Sequence, residues 1–229
     1  MRHHGPVVRR RAGGPVDWEG IRTVTPATSL AAGPDDVHPG DLHDGLRFHA
    51  LDLADLHADG AAFLDCEFSS CTVDAARMHR GRLTTCTVRD VQAAALDAQG
   101  STWTNVVVTD CRIGALVLPG SHLTRVTFEN VRVDFANLRG ATATQVQWLG
   151  CRIGELDLGG AEVDQARFDR CEVDRLALSG CTLQDVDLRG AALGAVDGLI
   201  ALAGSLISHA QLVQLAPALA DHLGIGVSD

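Results

Sequence analysis

A five-residue period is the feature that most limits what this 229-residue chain can fold into. When the chain is cut into fives from Leu46, the third residue is apolar in all thirty consecutive blocks up to Ala195. The first residue of each block is Leu, Val, Ala or Cys, except at Gly81, Ser101 and Ser121. This period is neither the 3.6 of an amphipathic helix nor the 2.0 of a strand.

Two inward residues in every five require a backbone that turns a corner every five residues. Four corners close a coil of about twenty residues, and adjacent coils then pair as short parallel strands roughly 4.8 Å apart. A coil cannot bury its inward face alone, so stacking supplies the core. The period therefore predicts an all-β solenoid, a four-sided parallel β-helix with inward columns, one of which reads Phe48, Phe68, Val88, Val108, Phe128, Trp148, Phe168 and Leu188.

The period also predicts three regions. Residues 1–45 lack it and form an N-terminal extension; its first 15 residues are rich in Gly, Pro and Arg and are expected to be disordered. Trp18, Ile21 and Val24 are expected to cover the first coil, because the open end of a solenoid needs a cap. The repeats fill 46–195, the phase slips at 196–199, and two further blocks extend the solenoid to residue 209.

Residues 210–229 are predicted to form a C-terminal α-helical cap. Ser208 with Gln211 has the pattern of a capping box, and Gly224 suits a helix C-terminus. Pro217 predicts a kink or two short helices. The helix carries an apolar stripe, expected to cover the last coil and, in a second interpretation, to make a dimer contact as well: Leu212, Val213, Leu215, Leu219 and Leu223.

Composition excludes several function classes. The formal net charge is -10, whereas binding to nucleic acid through phosphates needs clustered cations. An acidic chain suits a basic partner surface instead. No stretch approaches the roughly 18 apolar residues of a membrane span, and the N-terminus lacks the apolar run of a signal peptide. The expected location is the cytoplasm.

The residues that usually carry chemistry are explained by the repeat or by solvation. All seven cysteines occupy the first position of a block and are expected to be buried thiols rather than disulfides. The His spacing matches no zinc pattern, so solvated His is expected. Phosphate-binding glycine loops and nucleophile–base arrangements are absent from the sequence. Neither a metal nor a cofactor nor an enzymatic activity is expected.

Two blocks, Ala136-Asn137-Leu138-Arg139-Gly140 and Val186-Asp187-Leu188-Arg189-Gly190, resemble the pentapeptide-repeat family, whose consensus is close to Ala-(Asp/Asn)-Leu-X-X. The resemblance covers about two-thirds of the chain and implies a right-handed quadrilateral β-helix. The ending Leu223-Gly224-Ile225-Gly226-Val227 resembles the C-terminus of the Qnr and MfpA quinolone-resistance branch. That likeness implies a homodimer through the C-terminal segment and a DNA-mimic rod that binds DNA gyrase or a related type II topoisomerase, modulating it or protecting it from quinolones.

Surface charge differs between the sides of the predicted rod. Side 1 consists of block 46–50 and every fourth block after it, and side 2 of block 51–55 and every fourth block after that. Side 1 has six acids and five Arg, and side 2 has seven acids and four Arg. The candidate partner-binding acids are Asp90, Asp110 and Glu129 on side 1 and Asp74, Asp134, Glu155, Glu172 and Asp174 on side 2.

An opposing feature is a vertical basic ladder predicted on side 2, formed by Arg112, Arg132 and Arg152. Two hypotheses therefore remain open. One is the topoisomerase-binding DNA mimic. The other is a structural scaffold for protein–protein contact whose partner is not a topoisomerase. A continuous acidic stripe would favour the first, and acids interrupted by the ladder would favour the second.

Overall fold

The computed structural model describes Trp18, residues 30–53 and residues 55–228. Within them, eighteen strands form one continuous sheet, followed by a single α-helix, α1, at His209–Leu223. The strands β1 to β18 are Ala31–Ala32, Leu42–Asp44, Leu46–His49, Ala62–Leu64, Glu67–Ser69, Thr72–Arg77, Arg82–Arg89, Gln92–Asp97, Thr102–Thr109, Arg112–Val117, His122–Glu129, Arg132–Asn137, Thr142–Leu149, Arg152–Asp157, Glu162–Ala177, Thr182–Gln184, Val186–Asp197 and Ser205–Leu206.

All pairings between these strands are parallel, and nearly all join residues twenty apart. The second position of side 1 shows this register as one vertical ladder. It runs through eight coils, namely Arg47, Glu67, Thr87, Val107, Thr127, Gln147, Arg167 and Asp187. The predicted four-sided parallel β-helix with a C-terminal helix is confirmed.

The corners of the coil are made by the fifth residue of each block. On three sides this residue has a positive φ in every regular block except the one that ends at Gly190; examples are Asp90, Asn130 and Gly120. At the corner that ends blocks 56–60, 96–100 and their equivalents, six of seven residues are Gly, and Arg80 is the exception. Glycine has no Cβ to oppose the left-handed conformation there. Within the described residues, the fifth residue of side 2 never has a positive φ.

Aromatic rings stack inside the predicted column of side 1. The rings of Phe48 and Phe68 are 4.8 Å apart, and those of Phe128 and Trp148 are 4.0 Å apart and nearly parallel. Trp148 in turn stacks on Phe168 at 6.2 Å. Aromatic residues that are twenty positions apart in the chain are thus in van der Waals contact between adjacent coils. These contacts give the interior the packing density that proteins require.

The three departures from the first-position rule form one column of small residues. Gly81, Ser101 and Ser121 are vertical neighbours, and a Cβ on Gly81 would clash with the side chain of Met78. Ser101 and Ser121 are fully buried, and their hydroxyls lie 3.3 Å apart, with Ser121 donating to the carbonyl of Ala98. Because these three residues are small, they leave room inside the tube for larger side chains from the other sides. The two serine hydroxyls remain hydrogen-bonded although they are buried.

The coil register begins before Leu46. Strand β2 already pairs with β4 at a spacing of twenty, and β1 lies on β3, where Gly33 donates to the carbonyl of Arg47. His43 therefore takes an inward third position and stacks on Phe63 at 5.0 Å. The expectation that its imidazole is solvated was wrong, because His43 is only 6% exposed.

Trp18 does not cover the first coil as expected. Its carbonyl accepts a hydrogen bond from the side chain of Gln147, five coils away from Arg47. Ile21 and Val24 lie outside the described residues.

At the other end, the register shifts by one residue. Pairing at a spacing of twenty continues as far as Asp197, which lies on Ala177, whereas β18 pairs with β17 at a spacing of nineteen. Residues Leu199–Leu202 form a 3₁₀ turn instead of a regular block. Helix α1 begins at the Ser208 capping box and ends at Gly224, which has φ 69°. Pro217 lies inside this one helix, so the alternative of two short helices was wrong.

Truncating the stacked column tests the packing. Phe128→Ala is expected to lower the free energy of unfolding by about 3–5 kcal/mol, because it opens a cavity beneath Trp148. Phe135→Ala, at a position 36% exposed, is the matched control and is expected to cost less than about 1 kcal/mol. Urea denaturation followed by circular dichroism measures both. Equal losses in the two variants would contradict the assigned column.

Candidate functional surfaces

The C-terminal end of the rod is closed by amide side chains as well as by apolar ones. Gln211 donates through Nε2 to the carbonyls of Leu188 and Ala191, both at 2.7 Å. Gln214 donates to the carbonyl of Leu193, also at 2.7 Å. These carbonyls lie at the last coil, where a further coil would otherwise supply donors, so the helix covers an open sheet edge. Sequence reasoning assigned Gln211 to the capping box alone and missed Gln214.

The apolar stripe of α1 is divided between two environments. Leu215 is 5% exposed and covers the coil, and Leu219 is half-buried. Leu212 and Leu223 are 45% and 69% exposed. Among the described residues, seven of the nine exposed large hydrophobics cluster at this end: Ile200, Leu206, Leu212, Val213, Leu223, Ile225 and Val227. Such a cluster at one end of a rod is typical of an interaction surface.

Side 2 carries the predicted basic ladder. Arg112, Arg132 and Arg152 pair in register on successive coils, and Glu172 follows Arg152 on the next. Two of these guanidinium groups are close to the candidate acids: Arg132 lies 3.5 Å from Asp134, and Arg152 lies 3.4 Å from Glu172. The Arg ladder therefore lies among the acids of side 2 and interrupts the acidic stripe that they would otherwise form.

The remaining acids of side 2 are arranged around the same ladder. Glu155 pairs in register with Arg175, whose own guanidinium contacts Asp197 at 2.8 Å and so has a raised pKa. Asp74 and Asp174 are exposed. A shallow groove between the coils is lined by both signs of charge, from Arg132, Asp134, Arg152, Glu172 and Asp174.

Side 1 presents its acids differently. Asp90 and Asp110 lie at corners of adjacent coils and accept hydrogen bonds from neutral side chains, Ser70 at 2.9 Å and Asn130 at 3.2 Å. Glu129 is half-buried on the next coil. Because their partners in these hydrogen bonds are uncharged, Asp90 and Asp110 keep more of their negative potential than the acids that contact the ladder of side 2.

Three other acids of side 1 contact guanidinium groups: Glu67 lies 3.2 Å from Arg47, Asp169 lies 3.1 Å from Arg167, and Asp187 lies 2.7 Å from Arg189. The hydrogen bond from Arg189 holds the pKa of the Asp187 carboxyl below its usual range. The negative potential of side 1 is therefore expected near Asp90 and Asp110, away from the C-terminal end of the rod.

The thiols are components of the core. All seven cysteines are buried and free, and six of them donate to backbone carbonyls of the preceding coil, for example Cys171 to Trp148 at 3.2 Å. Burial raises the pKa of the Cys111 thiol to about 11. A thiol held in its protonated form inside the wall is a weak nucleophile. The predicted role of the cysteines as core residues is confirmed.

The described residues contain no group of three or more His, Cys, Asp or Glu arranged to hold a metal ion. No helix in the described part of the chain combines the length and apolar character needed to cross a membrane.

The first half of the tube encloses a cavity of about 100 Å³ among apolar side chains that include Phe63, Trp103 and Phe128. Its walls offer few polar groups with which a ligand could be oriented.

The five-residue period, the twenty-residue register and the four-cornered parallel coil define a parallel β-helix built from five-residue repeats. No family model and no curated protein matches the sequence. Similar solved structures include trypsin-treated QnrB1, a plasmid-mediated fluoroquinolone resistance protein, at 17% identity over 86% of this chain and 95% of that chain, with a TM-score of 0.29. Full-length QnrB1 has 17% identity, 82% and 92% coverage and a TM-score of 0.23.

A third similar structure is HetL, a pentapeptide-repeat protein involved in heterocyst differentiation regulation from the cyanobacterium Nostoc sp. strain PCC 7120. It has 15% identity over 76% of this chain and 92% of that chain, with a TM-score of 0.27. Because these TM-scores are low, the fold assignment rests on the period and on the register of the strands.

The amide cap can be tested directly. Gln211→Ala removes two hydrogen bonds to buried carbonyls of the last coil and the one that its Oε1 accepts from the backbone of Ser208, and it is expected to lower the free energy of unfolding by about 1–3 kcal/mol. Hydrogen exchange should accelerate first in the last coil. His209→Ala, at an exposed position of the same helix, is the control and should leave that coil unchanged. A uniform effect of Gln211→Ala along the whole rod would refute a local cap.

Proposed function

We propose that this chain is a non-enzymatic, homodimeric rod that binds a protein partner through the charged ladders on its sides. The observation that carries the proposal is the register of side 2, which stacks charged side chains of both signs on successive coils. A β-helix wall holds such side chains at fixed spacing, so little side-chain order must be gained on binding. The free, buried thiols are compatible with a reducing compartment such as the cytoplasm.

The exposed apolar end supports dimerisation. Leu212 and Leu223 belong to the predicted stripe and are exposed, whereas Leu215 contacts the coil and serves the cap. Joining two rods at this end would bury the apolar cluster and double the length of each charged side. This arrangement is closed by a two-fold axis, as most homodimers are.

Between the two partner classes, the charge pattern favours a protein other than a topoisomerase. A rod of eight coils spans about 38 Å, over which duplex DNA carries on the order of 22 phosphate charges. Side 2 offers seven acids and four Arg, and two of the acids contact the Arg ladder. A partner that presents both charge signs matches this surface better than one that binds DNA.

DNA gyrase or a related type II topoisomerase is the second candidate. Asp90 and Asp110 support it, because they are stacked on adjacent coils and hydrogen-bonded to neutral groups. The C-terminal sequence that resembles the quinolone-resistance branch supports it as well. In this case the rod would modulate the enzyme or protect it from quinolones.

The dimer is tested by sedimentation equilibrium. Wild-type protein is expected to be dimeric, and Leu212→Asp is expected to shift it to monomer, because a carboxylate would be buried without a partner in the apolar contact. Ala218→Asp is the control, since residue 218 is exposed but lies about 120° around the helix axis from Leu212, on a different face. A wild type that stays monomeric at about 100 μM would end the dimer proposal.

The partner class is tested with gyrase and one charge variant. Arg132→Gln weakens the basic ladder, and Arg82→Gln removes an exposed Arg from another side as a control. If the rod imitates DNA, Arg132→Gln should inhibit supercoiling more strongly than wild type, because its surface is more negative. If the partner is a protein other than a topoisomerase, wild type and both variants should neither inhibit supercoiling nor protect gyrase from a quinolone. Inhibition that strengthens in Arg132→Gln would overturn the preference stated above.

A further inference from the structure

The interior of the rod is less tightly packed in its first half than in its second. In the third coil, residues 86–105, three side chains at inward positions are only partly buried: Val88, Ala93 and Leu96. Their register partners on the next coil are no more than 5% exposed: Val108, Ile113 and Leu116. Because the third coil has a coil on either side, this accessible surface faces the interior and belongs to the cavity of about 100 Å³.

Two small residues on the paired strands β6 and β8 leave this space. Ala93 is paired in register with Val73 on the coil before and with Ile113 on the coil after, so a methyl group stands between two β-branched side chains. Ala76 lines the cavity beside Leu96, its register partner. A larger side chain at residue 93 would extend into the cavity, so the choice of residue at this position creates the space.

The cavity is not a general consequence of the repeat. In the second half of the tube, the column of Ala93 continues with Val133, Ile153 and Val173. The space among the core side chains there is only about 20 Å³, little more than the ~10–15 Å³ that one water-sized probe occupies. The second half of the tube therefore serves as an internal control for the first.

The wall of the larger cavity is apolar. Among the described residues, no polar atom reaches its accessible surface. The thiols of Cys71 and Cys111 lie in the wall but donate to the backbone carbonyls of Ser69 and Thr109, at 3.4 Å and 3.2 Å. The indole Nε1 of Trp103 is buried without a hydrogen-bond partner in the described part of the chain. Because a buried water needs two to four polar partners, this wall favours an apolar occupant over water.

The volume and the surface chemistry of the cavity together limit the class of ligand. An apolar cavity of about 150 Å³ lined by aliphatic and aromatic side chains binds benzene or xenon, and this cavity is about two-thirds as large. The rings of Phe63, Phe68 and Trp103 offer polarizable contacts to a ligand. Removal of the ligand's apolar surface from water drives binding without any directed hydrogen bond.

We propose that the cavity bounded by Val88, Ala93 and Leu96 is a binding site for one small apolar molecule, no larger than about a single aromatic ring. The site lies inside the tube and is separate from the charged ladders proposed for the protein partner. Because the ligand binds only the folded rod, it stabilises the first half of the solenoid.

Methyl NMR of the full chain, labelled at the δ1 methyl groups of isoleucine, tests the site with xenon and then with benzene as the probe. Ile113 lines the cavity, whereas Ile153 occupies the same column in the second half of the tube and is 2% exposed. The Ile113 signal is expected to shift as xenon is added and to reach a plateau. The Ile153 signal should not move, because the space in its half of the tube is too small for either probe.

Filling the cavity should abolish the site. Ala93→Leu is expected to weaken binding of both probes at least about tenfold, because the new side chain occupies the space of the ligand. Ala94→Leu is the matched control, since the same substitution is made at the next residue, which is exposed, and it should leave the titration of Ile113 as in wild type. Ala93→Val copies Val73 on the coil before and adds less volume. It should weaken binding in the same direction, so the test does not depend on the folding of Ala93→Leu.

Equal shifts of Ile113 and Ile153 in wild type would indicate non-specific contact and would overturn the proposal. So would an Ile113 signal that neither xenon nor benzene moves, or an affinity that is unchanged in both Ala93 variants. A shift with xenon alone would support the site and restrict its ligand to molecules smaller than benzene.

Discussion

The vertical pairing of residues twenty apart is the interaction on which the rest of the structure depends. Each coil is too thin to have a core of its own, so its inward residues are buried only by the coils above and below. Because the strands pair in parallel at a spacing of twenty residues, Phe128 stacks on Trp148 in the core and Arg132 lies beside Arg152 on the surface. The core and the surface ladders are therefore two consequences of one repeat.

The two ends of the rod show what happens when this pairing stops. At the C-terminal end the register shifts by one residue, and α1 places the amides of Gln211 and Gln214 against carbonyls of the last coil. Leu215 adds apolar cover, while Leu212 and Leu223 remain exposed. At the N-terminal end the short strand β1 lies on the first coil. Each end is closed by a local structural element, α1 or β1, that does not follow the five-residue period.

The sides of the rod differ in how they present charge. On side 2, Arg132 contacts Asp134 two residues along the same strand, and in-register stacking brings Arg152 close to Glu172, twenty residues away. On side 1, Asp90 and Asp110 have neutral hydrogen-bond partners, and Thr127 and Gln147 on the next two coils are buried. A net charge summed over a side cannot reveal this difference, because it ignores which charges touch. The contacts, and not the totals, distinguish the two proposed partner classes.

The sequence by itself determined the four-sided parallel coil, the inward columns, the buried cysteines and the capping box at Ser208, because these depend on residues a fixed number of positions apart. Only the tertiary structure decided the features that depend on contacts across the chain. These are the burial of His43 in the coil before Leu46, the amide cap by Gln211, and the contact of Trp18 with Gln147. The last joins residues 129 positions apart, and no local pattern encodes such a meeting.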